Sequence, residues 1–173
     1  METTERIVEA YVRYIKGWAT IPNIRCEGQL EIDLLAINPV TLERYHIESG
    51  VSISGSYSKL TDKPFSEMDL KERVKKAGQR RTVGYFVDRK FGVDGVKKTL
   101  EGYGFRDGNY AKVIVSWGWT KGAEDRAKAE NIELWDFPRL LKEIAEKFKD
   151  ERFYFTDDTL RTLHLYSHAM KFA

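Results

Sequence analysis

EIDLLAINPVTLERYHIESGVSIS, residues 31–54, is the stretch that decides the fold. Two β-rich runs flank an Asn38-Pro39 turn signal, which predicts a pair of strands joined by a short turn. Side chains alternate across a strand, so Glu31 and Asp33 share one face and Leu30, Ile32, Leu34 and Ala36 the other. In the second run His46, Glu48, Gly50 and Ser52 point one way, while Tyr45, Ile47, Val51 and Ile53 point toward a core. Carboxylates from neighbouring strands then converge. Holding Asp33 near Glu48 costs like-charge repulsion and desolvation unless a cation or a proton offsets it. A hard divalent cation such as Mg2+ is bound through one or two carboxylates plus water and substrate phosphate, and suits that geometry. The competing reading is a half-exposed hairpin whose polar positions are simply solvated.

Composition sets the frame. A chain of 173 residues is most simply one domain, large enough to bury about 70% of its unfolded surface. Hydrophobic residues at 42% and charged residues at 32% describe an ordinary folded protein and exclude a disordered one. The net charge of +2 comes from 29 basic and 27 acidic residues, so any nucleic-acid binding must come from a local patch. Cys26 is the single cysteine, which excludes an internal disulfide and cannot alone build a structural zinc site. No apolar run approaches bilayer length and no signal-like segment opens the sequence, so the expectation is no membrane and a cytoplasmic location.

Periodicity fills in the rest. Thr3 to Trp18 reads as an amphipathic helix, capped by Thr3 or Thr4, burying Val8, Tyr11, Val12, Ile15 and Trp18. Glu9 flanks that stripe and either reaches toward the sheet or pairs with Arg13 at i+4. Ala19 to Cys26 reads as a short strand or an extended arm, with Pro22, which lacks an N–H, favouring an edge. A polar-aromatic loop follows over 55–65, then Ser66 and Asp69 form a capping box opening a helix to about Ala77. Lys71, Arg73, Lys75, Lys76, Arg80 and Arg81 make this the most basic segment. It is either a solvated face or a phosphate-binding patch. Helices are expected over 82–91 and 93–103. The run KVIVSW at 112–117 is a buried parallel strand, a helix follows, and IELW at 132–135 is another strand before the Pro138 helix. One more helix from Asp157 uses Leu160, Leu163, Tyr166 and Met170, a helical extension beginning near residue 150 of a single domain spanning 1–173.

A glutamate-bearing first helix, the EIDLLAI segment, HIESG at 46–50 and the later WGWT and IELWDFPRLL segments resemble the PD-(D/E)XK, or restriction-endonuclease-like, superfamily. The resemblance runs from Glu5 to about Phe148 and is nearest to archaeal Holliday-junction resolvases and methyl-directed restriction nucleases. It implies a three-layer α/β/α domain with a central mixed sheet. It also implies a metal-dependent nuclease hydrolysing phosphodiester bonds in nucleic acid, with DNA the expected polymer. By position, Asp33 and Glu48 correspond to the metal-binding carboxylates for Mg2+ or Mn2+, and Glu9 to the first-helix carboxylate. Pairing into a homodimer is common among such nucleases.

One residue departs from that pattern. Active members place a lysine two residues after the strand glutamate, where it stabilises charge developing on the phosphate. Here that position is Gly50. Three explanations stand. A basic residue such as Lys75, Lys76 or Arg81 has moved into the role; His46 assists as a base or donor; or cleavage is lost and the domain is a nucleic-acid-binding or assembly module. The basic patch Lys75, Lys76, Arg80 and Arg81 is the expected nucleic-acid contact. Other schemes lack support: no phosphate-binding glycine loop is present, and the His164–His168 pair lacks the glutamate of a zinc-protease helix, which reads as a structural pair.

Overall fold

The computed structural model describes residues 2–51, 59–152 and 154–171, apart from the side chains of residues 73 and 74. The expected faces of Ser52 and Ile53, and residues 55–58 of the loop expected over 55–65, lie outside the described residues. Five strands lie side by side in chain order: β1 (Ala19–Cys26), β2 (Leu30–Ile37), β3 (Arg44–Ser49), β4 (Tyr110–Ser116) and β5 (Ile132–Asp136). The first three are antiparallel, which short turns permit. β4 and β5 run parallel to β3, and each needs a helical crossover. The first crossover holds α2 (Glu67–Lys71), α3 (Arg73–Gln79), α4 (Val83–Tyr85, continued by wider turns over Phe86–Phe91) and α5 (Asp94–Gly102). The second is α6 (Lys121–Ala129). β3 is therefore the central strand, and the sheet switches from antiparallel to parallel across it.

Helices cover both faces, giving the three-layer α/β/α arrangement with a mixed sheet that the resemblance implies. On one face α1 (Thr3–Ala10, widening into a π-helical turn over Tyr11–Ile15), α7 (Phe137–Asp150) and α8 (Asp158–Ala169) bury Val8, Val12, Leu140, Ile144 and Phe148 against Leu34, Ile47, Val113 and Val115. On the other, Phe86, Phe91, Ala123 and Ala127 cover Ile114 and Ile132, while Val96 and Leu100 cover Leu35. β1 is an edge strand, where a proline such as Pro22 is tolerated. Ser66, Thr82, Thr120 and Asp157 cap their helices through side-chain oxygens, each satisfying an otherwise orphaned amide. No helix among the described residues is long and apolar enough to cross a membrane.

Four local expectations change. Glu2, not Thr3 or Thr4, caps α1; Thr4 is instead buried, its hydroxyl donating to the Val51 carbonyl at 3.4 Å. The basic helix breaks at Glu72, whose backbone is extended. Tyr166 and Met170 stay exposed, because α8 rests on α1 and α7 along a narrow stripe of Leu160, Leu163, His164 and Ser167. The last change concerns β2. Leu34 and Ala36 pack with Ile47 as alternation requires, but Leu30 and Ile32 pack on the opposite side with Leu35. The alternation inverts around Asp33. Asn23, which lies opposite Asp33, takes a left-handed backbone (φ 51) and drops out of the β1–β2 ladder.

Candidate active site

The β2–β3 ladder ends at the pair Leu34–Ile47. At the next position side chains replace backbone bonding. The Ser49 amide donates to Asp33 Oδ2 at 2.8 Å, and the Asp33 amide donates to Glu48 Oε1 at 3.4 Å. Both neighbouring ladders thus lapse around Asp33, and two carboxylates fill the opening. Asp33 is 9% exposed and Glu48 is fully buried. Two such carboxylates require a counter-charge, and Lys90 supplies it. Its Nζ lies 3.0 Å from Asp33 Oδ1, 2.5 Å from Glu48 Oε2 and 3.2 Å from the Glu31 carbonyl.

Lys90 arrives from the helical run that continues α4, and Gly50 is what admits that run. A Cβ at position 50 would sit 2.9 Å from Phe86 Cζ, so any side chain there meets the Phe86 ring. Four residues beyond Phe86 on the same run, Lys90 delivers its ammonium to the carboxylates. The missing strand lysine and the covering helix are one feature. This corrects the expectation that Lys75, Lys76 or Arg81 provides the relocated cation: Lys75 is engaged by Asp69 (3.0 Å) and Glu72 (3.2 Å).

Burial first, and Lys90 and the neighbouring charges second, set the protonation. Desolvation pushes Asp33 up to about 7, with repulsion from Glu48 adding to it and Lys90 opposing. Desolvation likewise pushes Glu48 up to about 7 against the pull of Lys90. Burial alone would lower the Lys90 ammonium, but Glu48 and Asp33 together outweigh it and hold it above its ordinary value. His46, fully buried, is driven down to about 3 by desolvation. It is therefore neutral, and its Nε2, 2.7 Å from Glu48 Oε1, carries the proton and donates. Its ring stands edge-on to Phe91 at 4.8 Å. His46 orients Glu48, and its depressed basicity does not suit the base role considered for it.

Glu9 does not join this centre by any described contact. It is 4% exposed, but its carboxylate takes Arg6 at 3.0 Å, Arg13 at 3.5 Å and the Thr20 hydroxyl at 3.3 Å. The first-helix carboxylate that senses Asp33 is Glu5, one turn earlier. Burial raises its carboxyl, a hydrogen bond at Glu2 opposes, and repulsion from Asp33 adds to the rise. Lys76 and Arg80 are exposed and form no ion pair with a described residue. Among the described residues no group of three or more His, Cys, Asp or Glu side chains is placed to hold an ion. The donors a metal would meet here are the Asp33 and Glu48 carboxylates, and they would suit a hard ion: three oxygens already surround a cationic atom there.

Sequence reasoning finds Asp33, Glu48 and His46 from strand alternation but misses Lys90 and Glu5. The available signal for Lys90 is Gly50 itself, since a glycine inside a strand marks a close approach by something else.

No family model matches the chain, and no curated protein is similar to it. A solved structure, the crystal structure of the protein of unknown function AF1548, is similar at 12% identity and a TM-score of 0.45, covering 97% of this chain and 94% of that one. At that degree of likeness nothing about function transfers.

Proposed function

We propose that the protein is a metal-dependent phosphodiesterase acting on nucleic acid, with DNA as the expected polymer. The observation that carries this reading is the meeting of Asp33, Glu48 and Lys90 at the C-terminal end of the central strand. Asp33 and Glu48 would hold Mg2+ or Mn2+, which when bound activates water and offsets charge on a scissile phosphate.

The chain's own residues carry the rest. Lys90 offsets one of the two carboxylate charges in the absence of a metal, and its ammonium is the nearest described cation to any phosphate brought to them. His46 holds Glu48 through its Nε2–H, and the Ser49 amide holds Asp33, so both carboxylates keep a free oxygen edge directed at the Lys90 position. Glu5, on the helix end beside Val51, completes the acidic side. Lys76 and Arg80 supply exposed charge for backbone phosphates.

The test is incubation with plasmid, single-stranded DNA, branched DNA and RNA under Mg2+ or Mn2+. Cleavage of at least one, lost in Glu48→Gln and reduced about 10²–10³-fold in Lys90→Met, is expected. Intact substrates with salt-sensitive binding retained would make the domain a non-catalytic binding module. Neither binding nor cleavage would remove nucleic acid as the substrate class.

A further inference from the structure

On the opposite face of the sheet, α8 carries a second set of donors. The Nε2 atoms of His164 and His168, one turn apart, are 2.9 Å from each other. The carbonyl of Glu151, which ends α7, lies 3.0 Å from the first and 3.4 Å from the second. A carbonyl brings only lone pairs, and each Nε2 is either a donor or an acceptor. With no ion bound, a single Nε2–H shared between the other nitrogen and the carbonyl serves the triangle. A cation in place of that proton would meet a lone pair from each of the three atoms.

We propose that His164, His168 and the Glu151 carbonyl form a binding site for a divalent transition-metal ion of the Zn2+, Ni2+ or Cu2+ class, which imidazole nitrogen favours. Ligands ~2.1 Å from one such ion stand ~3.0 Å apart at octahedral and ~3.4 Å apart at tetrahedral angles. The three separations span that range. Two surrounding features point the same way. The carbonyl belongs to Glu151, the extended residue that caps the C-terminus of the 14-residue helix α7, whose own last carbonyls concentrate negative potential beside it. The His164 ring stands edge-on to Phe148 and Phe155, at 5.8 and 5.6 Å, which fixes its orientation before any ion arrives. The remaining coordination positions go to water or an incoming ligand. The site pins α8 to the end of α7, and it differs in chemistry from the all-oxygen Asp33–Glu48 centre.

The experiment titrates Zn2+, and separately Cu2+, into the full chain with excess Mg2+ present to occupy oxygen-only sites. One equivalent should bind, raise the melting temperature, and give a Cu2+ electron-resonance spectrum with coupling to two imidazole nitrogens. His168→Gln should weaken binding roughly tenfold or more and leave coupling to one nitrogen. His164→Gln should do the same, and His168, lying outside the Phe148–Phe155 contacts, keeps the test valid if His164→Gln fails to fold. A wild type that takes up neither ion, or uptake unchanged in His168→Gln, overturns the proposal. Neither result bears on nucleic-acid cleavage.

Discussion

Replacing Lys90 by Met removes the ammonium while keeping an apolar stem, and the structure sets the size and pH dependence of the effect. In wild type Asp33 and Glu48 both titrate near 7, raised above their unfolded values of 3.8 and 4.5. Raised carboxyls contribute stability that is complete below the unfolded values and lost as pH rises to about 7. Above that both are ionised and held by Lys90, so wild type flattens. Without Lys90 both carboxyls must stay protonated to remain buried, so stability keeps falling above pH 7. Two protons held over about 1.5 pH units cost about 4 kcal/mol at pH 8.5, at about 1.4 kcal/mol per unit each. That matches the ~3–5 kcal/mol expected for breaking a buried ion pair. In melting temperature it is about 8–16 °C for a domain of this size. Thermal melts of both proteins at pH 6 and pH 8.5, with chelator, measure it. Mn2+ should then raise the variant more than wild type, since no ammonium has to be displaced. An equal gap between the two proteins at both pH values would refute the assignment of Lys90 as the counter-charge.

Gly50→Ala should destabilise by about 1–3 kcal/mol through overpacking on Phe86, with Phe86→Leu restoring part of it in a denaturant titration. Gly50→Lys should therefore fail to restore or improve cleavage. Glu5→Gln should weaken Mn2+ binding about tenfold by calorimetry, whereas Glu9→Gln should leave it unchanged and lower stability by about 1–2 kcal/mol. Replacing Lys76 and Arg80 by Ala should flatten the salt dependence of DNA binding by about one unit for each phosphate no longer neutralised, and an unchanged slope would return both to plain solvation.

How much of this was legible in the sequence depends on whether a feature is local. Strand and helix positions follow from periodicity, and all five strands fall on segments whose local pattern reads as extended. Asp33 and Glu48 follow from alternation too, though for an incomplete reason. Alternation puts Leu30 and Ile32 with Leu34, while the backbone at Asp33 leaves the ladder and turns the first two over. Glu5 and Glu9 both lie on the inner side of α1, one turn apart, and only the docking of the helix end on Val51 chooses between them. Lys90 stands 42 residues beyond Glu48 in sequence, on a segment whose helical pattern looks like any half-buried face. Its role depends on which helix lies over Gly50. No local rule carries that information.

What the fold holds fixed at this centre is a charge balance, and the balance yields a final prediction. Two carboxylates contribute two negative charges and Lys90 one positive, so the buried group is left one charge short of neutral. With both carboxyls near 7, one proton on average makes up that charge at neutral pH. A bound divalent ion balances the two carboxylates alone. Metal binding must therefore expel the shared proton as well as turn the Lys90 ammonium outward, where it keeps its own charge. About one proton should be released per ion at pH 7, falling toward zero by pH 9, where the carboxyls are already ionised. Calorimetric titration of Mn2+ in two buffers of different ionisation enthalpy reads that number directly, and the same experiment on Asp33→Asn should show a different release. Binding at Asp33 and Glu48 with no proton released at pH 7 would mean that Lys90 alone balances both carboxylates, and the shared proton would have to be abandoned.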